Sequence, residues 1–371
     1  MSNQRLMLCA LLGIIFWLGA CREEAEPTEA PTTAPGDSTQ VRADSVPADP
    51  AAQVRALTLQ IEQQPKDYGL FQRRSGAYFQ LDSLPQATAD IERALKLYPE
   101  GPELHYWRGF LAYVQDDTAQ AMQSLRKAES LGTKNPEVPY QMGQIFFLQK
   151  KYGRALEAYR KAAQLNPYDP QYIFAQGFLA EEQQQYDRAV QLYKQTLGMD
   201  SAYARSLTRL HDVYLDHYES EIEAMKYNEQ LLRYRPRHPL GRFQQGNYHL
   251  RRALNYAGGS EAETFRRHIN DAVLAYTITV NKDSSFAEAW YNRGFCYFLG
   301  EGRMNEAIRD FERCLAIDST YAPASFMLGS IAEKNGDYRS ALAYYQQALA
   351  LKPESRDFRQ AVEEVTVIMD H

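Results

Sequence analysis

The residues able to do chemistry are few and dispersed. The 371-residue chain has seven His and four Cys. No His-Glu-x-x-His run occurs, the pattern that would set two imidazoles and a general base on one helix face. No glycine-rich loop follows a strand-like stretch, so no phosphate cradle is expected. The adjacent acids Glu181 and Glu182 would point apart on a helix rather than share a proton, and they read as a solvated face. No catalytic residue, cofactor site or metal site is therefore expected. The abundant groups are aromatic, 26 Tyr and 16 Phe. Rings recognise partners by burial and stacking, so the chemistry in prospect is binding.

The rings need elements that space them. In residues 140–167, Gly143 is followed after twelve residues by Ala155, then by Tyr159 four on, Ala162 three on and Pro167 five on. Gly329, Ala341, Tyr345, Ala348 and Pro353 repeat the same steps. Self-similarity of this size marks a repeat array. It reads as two amphipathic helices joined by a turn near 151–152, or 336–337 in the later copy. Antiparallel helices approach closely where small side chains face each other. Gly143 supplies this on the first helix and Ala155 and Ala162 on the second, with Tyr159 filling the space between. Pro167 ends the second helix, since it lacks a donor and clashes with the preceding turn. One hairpin cannot bury its apolar face alone; stacked neighbours bury it jointly.

These residues resemble the tetratricopeptide repeat. The resemblance implies an all-α, right-handed superhelical solenoid of about eight helix hairpins with terminal capping helices. The small positions on the first helices are Gly76, Gly109, Gly143, Gly177, Gly246, Gly294 and Gly329, at steps of 33, 34, 34, 69, 48 and 35. The long step leaves room for a degenerate fifth unit, with Asp212 where glycine is expected and Ala224, Leu231 and Pro236 in register. The array so defined covers residues 66–353. Gly76 to Ala87 is one residue short and Gly294 to Ala307 one long. In a hairpin, Cys296 and Cys314 would be offset by roughly 9 Å along the helix axes, beyond the reach of a disulfide. Cys314 also takes the small position of its unit, so both read as core residues.

In this family the concave surface is lined by the residues three before, one after and four after the first-helix glycine. Here those places hold Tyr106, Phe110, Tyr113, Tyr140, Phe147, Phe174, Phe178, Phe243, Tyr291, Phe295, Phe298 and Phe326. Half of the places are aromatic, against 12% of the chain. Two accounts are open, a partner-binding groove and packing between repeats. On the first, truncating Tyr106, Phe174 and Tyr291 should cost binding and spare the fold. Some members of the family grip an acidic C-terminus with a clamp of Lys, Asn and Arg. Asn247 and Asn292 stand in clamp-like places, but Phe243 and Met327 replace the basic residues, so no clamp is expected.

Residues 1–21 begin with Arg5 and an apolar run over 6–20, and end in Leu18-Gly19-Ala20-Cys21. This resembles a bacterial lipobox, which implies cleavage before Cys21 and a diacylglyceryl group on its thiol. An ordinary signal peptide ending in cysteine is the alternative; a membrane-spanning anchor would need about 20 apolar residues. The implied location is the bacterial envelope, lipid-anchored, at the outer membrane on its periplasmic face or the cell surface. Residues 22–50 are a tether rich in Pro, Ala, Thr and acid, with too little apolar surface to order itself. It would reach roughly 30 Å on average. It carries seven acids against two arginines, which accounts for most of the net charge of -6. The array itself is nearly neutral, which argues against nucleic acid as a partner.

Residues 51–65 and 354–371 read as capping helices, the latter with Phe358, Ala361, Val362, Val365, Ile368 and Met369 at helical spacing. The sixth unit is long: Gly246 to Ala272 is 26 residues, with a turn signal at Ala257-Gly258-Gly259-Ser260. An arm over 249–270 would lengthen both helices by about two turns, roughly 10 Å each. Arg251, Arg252, Arg266 and Arg267 would lie on it, either as a solvated face or as a functional one. The expected function is a non-catalytic, lipid-anchored scaffold that binds a segment of an envelope protein in its aromatic groove, with the membrane engaged through Cys21. The alternative is a protein that binds envelope glycan or cell-wall fragments.

Overall fold

The computed structural model describes residues 49–258, 261–300 and 303–370. Among them are 18 helices and no strand, so the expected all-α class holds. The described residues form two compact units, 49–203 and 204 onward. The first unit holds α1 (Pro50–Gln63), α2 (Tyr68–Gln80), α3 (Leu84–Leu97), α4 (Pro102–Val114), α5 (Thr118–Ser130), α6 (Glu137–Leu148), α7 (Tyr152–Leu165), α8 (Pro170–Glu182) and α9 (Tyr186–Met199). The second holds α10 (Ala204–Asp216), α11 (Glu221–Tyr234), α12 (Pro239–Asn255), α13 (Ala262–Lys282), α14 (Ala287–Leu299), α15 (Met304–Ile317), α16 (Ala322–Lys334), α17 (Tyr338–Leu351) and α18 (Arg356–Met369). Successive helices from α2 to α17 pair as eight hairpins. Within each unit, α1 packs on α2 and α18 on α17.

The turns inside five hairpins share one chemistry. Asp82, Asp116, Lys150, Gln184 and Gly336 take positive φ of 54° to 79° just past the first helix. In each, the next residue's N–H reaches back to a carbonyl five residues earlier. Lys151 N donates to Phe146 O at 2.8 Å, and Gln185 N to Ala180 O at 2.8 Å. This left-handed cap satisfies carbonyls that the helix end would otherwise orphan. Only one of the five is glycine, so four turns carry the steric cost of a Cβ in the left-handed region.

Close approach of the helices follows from the small residues. A Cβ on Gly143 would lie 2.5 Å from Tyr159 Cε1, and one on Gly329 would lie 2.6 Å from Tyr345 Cδ1. The opposing Ala87, Ala121, Ala155, Ala189, Ala224, Ala272, Ala307 and Ala341 are fully buried. Two sequence assignments are corrected. At Gly76 a Cβ would meet nothing within 4 Å; the buried residue is Ser75, whose hydroxyl donates to Ala87 O at 2.8 Å. Ser75 is twelve residues before Ala87, which removes the short step. In the fifth hairpin the buried residue is His211, and Asp212 is only half-buried beside it. The turn between α10 and α11 has four residues, one more than the turns inside the first four hairpins, and this shifts the register by one. The turn between α14 and α15 is likewise longer, which accounts for the long step from Gly294 to Ala307. Cys296 and Cys314 are both buried and unbridged.

Buried ion pairs recur one residue before the close-approach position. Arg74 meets Asp90 at 2.7 Å and Arg293 meets Asp310 at 2.8 Å. Each guanidinium also donates to a threonine on the preceding second helix, Thr58 at 3.0 Å and Thr277 at 3.3 Å. Each of these two hairpins is thereby tied to the helix before it by a guanidinium that makes three hydrogen bonds, and such bonding is what lets a buried pair be tolerated.

The sixth hairpin is long, with unequal extensions. First helices elsewhere run 12 or 13 residues and second helices 13 or 14, as in α8 and α9, whereas α12 has 17 and α13 has 21. The excess is about one turn on α12 and two on α13, roughly 6 and 10 Å, so equal lengthening is corrected. Arg251 and Arg252 are not freely solvated: they meet Glu221 at 3.1 and 3.4 Å. Arg266 and Arg267 are exposed.

Candidate partner-binding face

The twelve aromatic positions separate by burial. Tyr106, Phe110, Tyr140, Phe174, Tyr291, Phe295 and Phe326 are buried, which corrects the expectation that they face a groove. The reason is visible at the position three before the glycine. That ring sits between the second-helix ring of its own hairpin and a ring that opens the next. Tyr140 lies 5.8 Å from Tyr159 and 5.4 Å from Tyr172. Phe174 lies 5.4 Å from Tyr193 and 5.6 Å from Tyr203. Tyr291 lies 5.6 Å from Phe311 and 5.0 Å from Tyr321, and Phe326 lies 5.1 Å from Tyr345 and 4.9 Å from Phe358. Burial, with the charges of Glu137 and Glu103, also pushes the Tyr106 phenol well above its ordinary range. These rings are inter-repeat packing.

Tyr113, Phe147, Phe178, Phe243 and Phe298 stay half-exposed. In the first unit three of them continue into apolar surface that the sequence reading missed. Leu148 is 60% exposed and Val114 is 37% exposed. Each is the residue directly after a half-buried ring, and Val114 lies four after Phe110, on the same side of the helix. Phe147 and Phe178 meet at a tilt across neighbouring hairpins, 5.4 Å apart. The C-terminal ends of α4 and α6 thus carry Tyr113, Val114, Phe147 and Leu148, with Phe178 of α8 against Phe147. The signal was available in the sequence: an apolar residue five after the glycine, just before the turn, where only a polar residue is needed.

In the second unit, Phe243 packs 4.6 Å from Phe286, and Phe298 lies 6.4 Å from Phe295. The clamp-like asparagines are engaged internally. Asn247 Oδ1 accepts from Tyr276 OH at 2.7 Å and from Asn292 Nδ2 at 3.0 Å. Acids at the starts of first helices are likewise occupied in joining hairpins. Glu103 accepts from Thr133 and Asn135 at 3.0 Å each, and Glu137 accepts from Tyr172 OH at 2.6 Å. Two histidines that looked dispersed, His249 and His268, meet in the lengthened hairpin at 3.2 Å. Cys21 lies outside the described residues, and no described helix is long and apolar enough to cross a membrane.

Three family models described as tetratricopeptide repeat match residues 76–136, 140–169 and 285–354. Hsp70-Hsp90 organizing protein 1 of Glycine max is 27% identical over 99 residues, covering 26% of this chain and 17% of that protein. Photosystem I assembly protein Ycf3 of Synechococcus elongatus is 33% identical over 99 residues, covering 26% of this chain and 55% of that protein. The chain therefore matches between about a sixth and about half of the length of these curated relatives. A solved structure of the human IFIT1 dimer with m7Gppp-AAAA aligns with a TM-score of 0.51 at 15% identity, covering 86% of this chain and 77% of that one. At that identity the likeness concerns the fold alone. Repeat spacing, hairpin geometry and the three matched stretches together make this chain a tetratricopeptide-repeat protein.

Proposed function

We propose that the protein is a non-catalytic interaction scaffold that holds a segment of a protein partner along the apolar strip at the ends of α4 and α6, beside Phe178 of α8. The observation that carries this is the exposed pair Val114 and Leu148 beside half-buried Tyr113, Phe147 and Phe178. A row of apolar side chains left in water on a stacked array marks an interaction site. Two similar proteins are named for work on other proteins, organizing Hsp70 and Hsp90 and assembling photosystem I. That supports a protein as the partner and says nothing of which. The lipobox-like run ending in Cys21 supports tethering to an envelope membrane through an acylated thiol, held stably by several acyl chains.

The test is a Val114→Asp, Leu148→Asp double variant, crosslinked in intact cells. Both side chains are exposed, so helical circular dichroism and melting should be preserved while the captured partners are lost. An unchanged set of captured partners would sink the assignment of this strip. Separately, Cys21→Ala should abolish retention in the membrane fraction after a high-salt wash; normal processing and retention would exclude the lipid anchor.

A further inference from the structure

The lengthened sixth hairpin brings together groups that the rest of the array keeps apart. His249 stands on α12; His268 and Asp271 stand on α13. The two imidazole Nδ1 atoms are 3.2 Å apart. His249 Nδ1 is 3.9 Å from Asp271 Oδ2. One ligand-capable atom from each of the three residues lies within 4.8 Å of the others. We propose that His249, His268 and Asp271 form a site for a divalent transition-metal ion, zinc in the first instance, that pins α12 to α13.

The geometry argues for an ion in several ways. Two ring nitrogens at this separation can share one N–H···N hydrogen bond at most, and two protonated rings would repel. Zinc–nitrogen bonds of about 2.0–2.1 Å in a tetrahedron place neighbouring ligand atoms roughly 3.3 Å apart. The observed separation of the imidazoles already matches that edge. Asp271 needs to close on His249 by about half an ångström to match that edge, and its side chain is 45% exposed and has room to move. His268 and Asp271 are three residues apart on one helix and so share a face. The rings are also held in place by neighbours: Tyr256 stacks on His268 with an interplanar angle of 7°, and Tyr248 meets His249 edge-on at 5.3 Å. Three protein ligands leave the fourth position to water.

The site depends on the insertion. A second helix of ordinary length, 14 residues as in α9, ending at Lys282 would start at Ile269, so His268 lies on the added turns. His249 and His268 are equidistant from the turn beside Gly258, which is why an antiparallel hairpin sets them opposite each other. The nearby Arg252, whose charge would oppose a cation, is directed to Glu221 at 3.4 Å and to the ring of Tyr248 at 5.3 Å. Imidazole and carboxylate ligands suit zinc, and cobalt and nickel should follow in the usual affinity order.

The test uses the full chain, untagged and stripped by chelator. Zinc chloride is titrated by calorimetry, and cobalt by visible absorption, which reports ligand geometry. One zinc per chain is expected, with a raised melting temperature. His268→Ala and the polar His268→Gln should each weaken binding by at least about tenfold, since even outer partners of a metal ligand cost that much. Both should fold, as judged by circular dichroism, because His268 is only half-buried. His217→Ala, on another hairpin, should leave binding unchanged. No saturable zinc binding by the wild type, or full binding by both His268 variants, would overturn the proposal.

Discussion

The same substitution, glycine to alanine, should act with opposite sign at two first-helix positions. At Gly143 the new Cβ would stand 2.5 and 2.6 Å from Tyr159 Cε1 and Cδ1. Ordinary contact begins near 3.4 Å, so the ring must retreat by about 1 Å. It has little freedom to do so. Tyr159 is 4% exposed, and Tyr140 is tilted against it at 5.8 Å. Overpacking of this kind costs about 1–3 kcal/mol. Alanine returns about 1 kcal/mol of helix propensity, so the net loss at Gly143→Ala should be about 0–2 kcal/mol, and larger for Gly143→Leu. At Gly76 nothing lies within 4 Å, and Gly76→Ala should stabilise by the full propensity term, about 1 kcal/mol. Urea unfolding measures the global effect. Hydrogen exchange locates it, and the damage at Gly143 should stay in the neighbouring hairpins because repeats touch only their neighbours. Destabilisation by Gly76→Ala, stabilisation by Gly143→Ala, or a uniform rise in exchange along the chain would refute the reasoning.

Phe174→Ala should cost about 3–5 kcal/mol, as a core ring does, because Phe174 is 1% exposed; a melting temperature within error of wild type would return it to the groove. Gln184→Gly should stabilise by about 1 kcal/mol, since Gln184 holds φ at 59° where a Cβ is penalised; a loss in chemical denaturation would count against the turn geometry. Burial, offset in part by the Tyr172 hydrogen bond, raises the Glu137 carboxyl above its ordinary 4.5. A raised folded-state value means the native state takes the proton more readily, so wild type should gain stability relative to Glu137→Gln as pH falls from neutral, levelling off below about 4.5. A stability difference that shrinks over that interval would show the opposite shift.

The repeat itself was legible in the sequence because its spacing is local. Gly143, Ala155, Tyr159 and Ala162 face each other within one hairpin, and the steps between them follow from helix pitch and one short turn. That is why the hairpins, their small contacts and the all-α class could be read without a structure. Spacing misled at two of the small positions. In the fifth hairpin a turn one residue longer moves the close-approach place from Asp212 to His211; in the first the turn has its ordinary length and the place falls to Ser75, a small residue beside the glycine. The aromatic positions show a different limit. Phe174 and Tyr291 touch a ring of their partner helix on one side, and periodicity cannot say whether water or the next hairpin covers the other. Packing between repeats decides it. Stacked hairpins bury the ring nearest the helix start, while Leu148 and Val114 in the last turn stay in water. The meeting of His249 and His268 was likewise hidden. They are 19 residues apart, and only an antiparallel pairing centred on the turn beside Gly258 makes them neighbours.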